Sequence, residues 1–152
     1  MRRLLIVYQS QTGRTRRMVE AALRGARAEA EAVESRLVRA RDAEIRDLLW
    51  AEALLLGTPE NFGYMSGAMK DFLDRTYYPA QGRVHQLPYA LLVSCGSDGT
   101  GAVRSIERIA RGYPLRAVLE PLIARGEPTA EVLERCTEIG HTLAAGLALG
   151  IY

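Results

Sequence analysis

Three short segments combine glycine with hydroxyl, amide or aromatic side chains, and each directly follows an apolar run. The first is Ser10-Gln11-Thr12-Gly13-Arg14-Thr15. Ser10, Thr12 and Thr15 offer hydroxyls, and Gly13 lets backbone N–H groups come close to a ligand. A helical pattern follows at once. The free N–H groups and positive dipole end of that helix would face the same turn. This combination suits a phosphate dianion, with each hydrogen bond to a charged group contributing about 1.5–3 kcal/mol. Without a ligand, the same residues make a hydroxyl-rich helix cap. The turn lacks the Gly-Lys pair of a triphosphate-binding loop, and its one glycine is not a dinucleotide fingerprint. Arg14 would either assist the phosphate or face solvent.

The second segment is Thr58-Pro59-Glu60-Asn61-Phe62-Gly63-Tyr64-Met65. Pro59 stiffens it and Gly63 permits a tight path. Phe62 and Tyr64 would stack on a planar conjugated ligand or pack beneath the loop, and Asn61 could satisfy a polar ring edge. The third is Ser94-Cys95-Gly96-Ser97-Asp98-Gly99-Thr100-Gly101, able to wrap a ring edge with backbone groups. Cys95 is either a nucleophile or a small packed residue. Arg104 lies too far along for a compact Cys-x5-Arg phosphatase loop, and no His is near in sequence, which favours packing.

Such segments need rigid elements behind them. Leu4 to Tyr8, Ala53 to Gly57 and Pro88 to Ser94 read as buried strands, Ser35 to Val38 as a weaker one, and Leu115 to Leu119 as the fifth. Between them Met18, Val19, Ala22, Leu23 and Ala26 recur at helical spacing. Ala43 to Leu49, Ser66 to Tyr77 (ended by Pro79) and Thr100 to Arg111 also read as helices. Thr129 is expected to cap the last, with Glu131 in its first turn. Alternating β and α of this kind predicts a parallel sheet with helices on both faces and ligands at the carboxyl ends of the strands.

The bulk numbers set bounds. The 152 residues suit one domain, residues 1–152, with apolar content sufficient for a full core. The net charge is only +2 and the arginines are scattered among acids, so no nucleic-acid stripe stands out. No stretch is long enough for a membrane span. Cys95 and Cys136 have no metal-ligand or redox-pair spacing, and two free thiols suit a reducing cytoplasm. No metal site is expected.

Taken together, these segments resemble the flavodoxin-like family, and more closely its NAD(P)H-dependent flavin and quinone reductases. Thr12-Gly13-Arg14-Thr15 after Ser10 is similar to the family's phosphate loop. Gly57-Thr58-Pro59, Asn61-Phe62-Gly63 and then Lys70-Asp71-Phe72-Leu73-Asp74-Arg75 resemble the reductases' flavin loop and following helix. Ser94-Cys95-Gly96 matches the third flavin loop in position more than in letters. The resemblance implies a doubly wound five-stranded parallel sheet in the order 2-1-3-4-5. It implies FMN, with its phosphate on Ser10, Thr12, Gly13, Arg14 and Thr15. Pro59, Asn61, Phe62 and Gly63 would line the ring, and Ser94, Gly96 and Gly99 would border its other edge. The flavin carries the redox chemistry, so no catalytic side chain is assigned. Glu60 receives no catalytic role, because a carboxylate beside a ring that gains negative charge would oppose its reduction.

Electron-carrier members are typically strongly acidic and often cover the ring with an aromatic from the third loop. This chain is slightly basic, and Ser94 to Gly101 contains no aromatic. The resemblance therefore favours an enzyme in which NADH or NADPH reduces a quinone, flavin or similar acceptor. The alternatives are an electron carrier serving a redox partner protein, and a module whose loops bind another phosphate or a protein. Tyr77 and Tyr78 would border a substrate pocket or pack at the helix end. A homodimer is expected from the resemblance alone.

Overall fold

A computed structural model describes residues 1–152. β1 (Arg2–Tyr8) is an interior strand of the sheet, with Leu4 to Val7 fully buried. It pairs in parallel with β2 (Val33–Arg39) on one side and β3 (Ala53–Asn61) on the other. β5 (Leu87–Cys95), buried throughout, follows β3 in parallel, and β6 (Leu115–Ala117) closes the path. The order β2-β1-β3-β5-β6 is the expected 2-1-3-4-5 with a short β4 (Tyr64–Met65) set aside as a hairpin partner of β3.

Successive strand residues point to opposite faces, and each face has its own core. Leu4, Ile6, Leu55 and Leu92 pack under α1 (Arg14–Ala26) and α5 (Ala130–Ala148). Leu5, Val7, Leu54, Leu56 and Leu91 pack under α2 (Ile45–Trp50), α3 (Gly67–Ala80) and α4 (Thr100–Gly112). Apolar runs without polar alternation are the reason these strands are central: both of their faces are covered. No helix is long and apolar enough to cross a membrane.

α1 and α5 meet backbone to backbone. A Cβ on Gly25 would lie 1.9 Å from the Thr137 carbonyl oxygen, and one on Gly140 would lie 1.8 Å from that of Ala22. Only hydrogen fits at either crossing. The Thr129 cap on α5 is present, with its hydroxyl accepting the Val132 N–H at 3.2 Å.

Three expectations are corrected. Pro79 does not end α3. It lies inside the helix, which runs on to Ala80, because a missing N–H so near the terminus removes one hydrogen bond from the last turn. The segment after Gly57 is not an open loop. β3 extends to Asn61 and returns through Phe62 (φ 53) and Gly63 (φ 70) into β4, a two-residue hairpin with both central residues left-handed. The fifth strand is broken. β6 pairs with the lower part of β5, Pro121 interrupts, and β7 (Leu122–Arg125) pairs with its upper part from Leu92 to Cys95.

Candidate functional site

The carboxyl ends of β1, β3 and β5 are neighbours, and their three turns converge. A cleft of about 130 Å³ lies between them. Gln11, Thr12, Arg14 and Thr15 line it from the first turn, Pro59, Glu60 and Asn61 from the second, and Ser94, Cys95 and Gly96 from the third. Seven expected residues thus share one cleft: Thr12, Arg14, Thr15, Pro59, Asn61, Ser94 and Gly96. Ser10, Gly13, Phe62, Gly63 and Gly99 do not line it.

The first turn is organised by Ser10. Its hydroxyl oxygen accepts the N–H of Gly13 at 3.1 Å and of Arg16 at 3.3 Å. Gly13 caps α1 with φ 95, a left-handed conformation that is costly for any residue with a Cβ. The next N–H groups, of Arg14 and Thr15, have no hydrogen-bond partner within the chain and stand at the positive end of the helix. A cleft edged by free first-turn N–H groups and the Thr12 hydroxyl is a donor set for a phosphoryl group.

Two expected phosphate ligands are committed elsewhere by their side chains. Thr15 and Ser94 are buried, and their hydroxyl oxygens lie 2.7 Å apart, tying the first turn to the third. The guanidinium of Arg14 donates to Glu127 at 3.1 Å, and Arg17 pairs with the same carboxylate. These two arginines hold the Glu127 carboxyl below its usual range.

The second turn is fixed from both sides. The Thr58 hydroxyl oxygen accepts the Ser66 N–H at 3.0 Å, and the Ser105 hydroxyl oxygen accepts that of Met65 at 3.1 Å. The Glu60 carboxylate accepts the N–H of Gly99 at 2.9 Å and of Ala102 at 3.0 Å. Glu60 therefore caps α4, whose own N-cap is a glycine and whose first turn carries no acid. This is the residue that sequence reasoning set aside. The signal available was a glycine, which has no capping side chain, at the N-cap position of this helix. The Gly63 carbonyl packs against Gly101, where a Cβ would come within 2.0 Å of it.

Phe62 does not pack beneath the hairpin. It is fully exposed at the tip, with Tyr64 partly exposed beside it. Cys95 is buried, and desolvation followed by the charge of Glu60 raises its thiol pKa, which disfavours the thiolate a nucleophile needs. Desolvation likewise pushes the Cys136 thiol up to about 11. Tyr77 and Tyr78 belong to a different cleft, between α3 and α4 with Leu73, Arg108 and Ile109. Tyr77 stacks edge-on to Tyr113 at 5.4 Å.

The family described as NADPH-dependent FMN reductase matches residues 1–119. A flavodoxin of Aquifex aeolicus is 30% identical over 98% of this chain and 89% of its own length. A flavodoxin from the domain Archaea superposes with a TM-score of 0.85 at 24% identity, covering 95% of this chain and 98% of that one. A flavodoxin, WrbA-like protein from Agrobacterium tumefaciens superposes with a TM-score of 0.81 at 23% identity, covering 99% of both.

Proposed function

The chain belongs to the flavodoxin-like proteins of the NADPH-dependent FMN reductase type, and from that premise we propose that it uses FMN to pass electrons from NADPH or NADH to a quinone, flavin or similar small acceptor. This is an FMN-binding flavodoxin-like protein. When bound, the flavin supplies the redox chemistry, and the protein supplies position and electrostatics.

One observation carries the reading. The tips of β1, β3 and β5 meet at a single cleft headed by free helix N–H groups. In this proposal the N–H groups of Arg14 and Thr15 and the hydroxyl of Thr12 hold the FMN phosphate. Ser10 and Gly13 shape the turn, and Arg14 reaches the phosphate only by leaving Glu127. The cleft is small for a whole ligand, since small-molecule sites run to about 300–1,000 Å³. The ring would therefore lie at its rim. Pro59, Asn61 and Gly63 would flank it there, Phe62 would stack on it, and Gly96 would border the far edge. Thr15 with Ser94, and Glu60 with Gly99, keep the rim rigid.

The test is an anaerobic titration. The chain reconstituted with FMN should lose its visible flavin absorbance within seconds to minutes of NADPH addition. Absorbance unchanged over hours would end the enzyme reading.

A second reading is an electron carrier that docks to a redox partner protein. The likeness to the Aquifex aeolicus flavodoxin favours it. In that case only a partner reductase would reduce the bound FMN. A homodimer and a reducing, cytoplasmic setting complete the proposal. Sedimentation at micromolar concentration tests the first.

A further inference from the structure

Glu127 stands in the connection between β7 and α5, outside the cleft, yet it holds one of the side chains that line it. Its Oε1 accepts the Arg14 Nε–H at 3.1 Å, and its Oε2 accepts from Arg17, one turn further along α1. Neither arginine has another carboxylate partner. Arg14 is the single cation in the cleft lining. The other charged group there, Glu60, commits its carboxylate to the N–H groups of Gly99 and Ala102.

The position of Glu127 is fixed by its neighbours. The Gly126 N–H donates to the Cys95 carbonyl at 2.9 Å, and the Arg125 guanidinium donates to the Ser97 carbonyl. Gly126 is left-handed, with φ 70, so the chain turns just before Glu127. The connection is thus fastened to the third turn of the cleft, and its carboxylate reaches across to the first. A carboxylate and a phosphate offer a guanidinium the same paired acceptors, so the two compete for the Arg14 fork. The ion pair is exposed, with 67% of the Glu127 side chain open to solvent. Such a pair yields to a dianion that also accepts the free N–H groups of Arg14 and Thr15.

We infer that Glu127 is a positioning residue for the flavin phosphate: it withholds the Arg14 guanidinium from the cleft and thereby sets how strongly the chain prefers FMN to riboflavin. The inference rests on the reading of that cleft as the phosphate end of the flavin site. Riboflavin has the same ring and ribityl chain as FMN and lacks only the phosphate. A residue that acts through Arg14 on the phosphate therefore alters the affinity for FMN and leaves that for riboflavin alone.

The test is fluorescence titration of the flavin-free chain with FMN and with riboflavin at one fixed, low ionic strength, which keeps exposed charges unscreened. The parent is compared with Glu127→Gln, Arg14→Ala and the double replacement. Glu127→Gln removes the charge and keeps the shape. It is expected to tighten FMN by about two- to fivefold, the equivalent of one exposed ion pair, with riboflavin unchanged. The unchanged riboflavin affinity also certifies an intact fold. In the Arg14→Ala background, Glu127→Gln should give no gain. An FMN affinity that stays the same or falls in Glu127→Gln overturns the inference. So does an equal shift for both flavins, which marks a loop-shaping role, or a gain that persists without Arg14, which marks the bare field of the carboxylate. A parent chain that binds neither flavin, or binds both equally, instead removes the phosphate reading of the cleft, and the inference falls with it.

Discussion

The carboxylate of Glu60 accepts the backbone N–H of Ala102 at 3.0 Å, joining the end of β3 to the first turn of α4. Its other oxygen takes the N–H of Gly99. One side chain thus supplies the cap that α4 lacks and sets the distance between two walls of the cleft. Glu60→Gln keeps one acceptor and turns the other into a donor facing an N–H. We expect a loss of about 1–2 kcal/mol in urea denaturation. An unchanged midpoint would show that the cap carries no energy.

Thr15 and Ser94 form a buried hydroxyl pair. Thr15→Val leaves the Ser94 hydroxyl without its partner, at about 1–3 kcal/mol. Adding Ser94→Ala removes the orphan, so the double replacement should cost less than the sum of the two singles. A strictly additive cycle would contradict the pairing.

Gly13→Ala forces a Cβ onto a left-handed residue at φ 95, although nothing stands within 4 Å of that Cβ. The cost is backbone strain alone, about 1–2 kcal/mol. Fluorescence titration should show weaker FMN binding than in the parent chain, because relaxing φ turns the following N–H groups. Full retention of FMN affinity would separate the turn from the phosphate.

Phe62→Ser should leave folding stability within about 0.5 kcal/mol, since a fully exposed side chain buries nothing. In the proposed complex it removes a stacking surface, so FMN affinity should fall by about three- to tenfold, the equivalent of roughly 0.5–1.5 kcal/mol. A fall in stability with no change in affinity would reverse this assignment.

Tyr113 supplies a pH dependence. Its buried hydroxyl donates to the Leu73 carbonyl and lies 2.6 Å from Thr76 Oγ1, and desolvation raises its pKa from 10.0 to about 12. The folded chain holds this proton more tightly than the unfolded one. The contribution is complete below pH 10 and is lost as pH rises from 10 through 12, on the order of 2 kcal/mol in all. Tyr113→Phe should flatten that part of the stability profile. An identical alkaline slope in both proteins would refute it.

The alternation of strands and helices was readable because Leu4 to Val7 and Tyr89 to Val93 are apolar without interruption, the mark of strands covered on both faces. The three turns were readable because hydroxyls and glycines cluster directly after those runs. The cap by Glu60 was not, since it links residues 39 and 42 positions apart, and a carboxylate in a turn carries no sign of which helix it will meet. The Arg14–Glu127 pair was hidden for the same reason. The hairpin at Phe62-Gly63 escaped because an aromatic is an unusual occupant of a left-handed position, where Asn or Asp is the ordinary signal. β7 escaped because its four residues sit between Pro121 and Gly126 and read as a connection.

The glycine crossings of α1 and α5 govern something far from where they lie. Gly25 is eleven residues beyond Arg14, so the contact that seats the rear of α1 stands about 17 Å behind the N–H groups at its front. A rigid rod clamped at one end aims its other end. Enlarging Gly140 by a single methyl would lever α1 outward and swing its leading turn off target, making a remote, ligand-free interface the gunsight of the anion pocket.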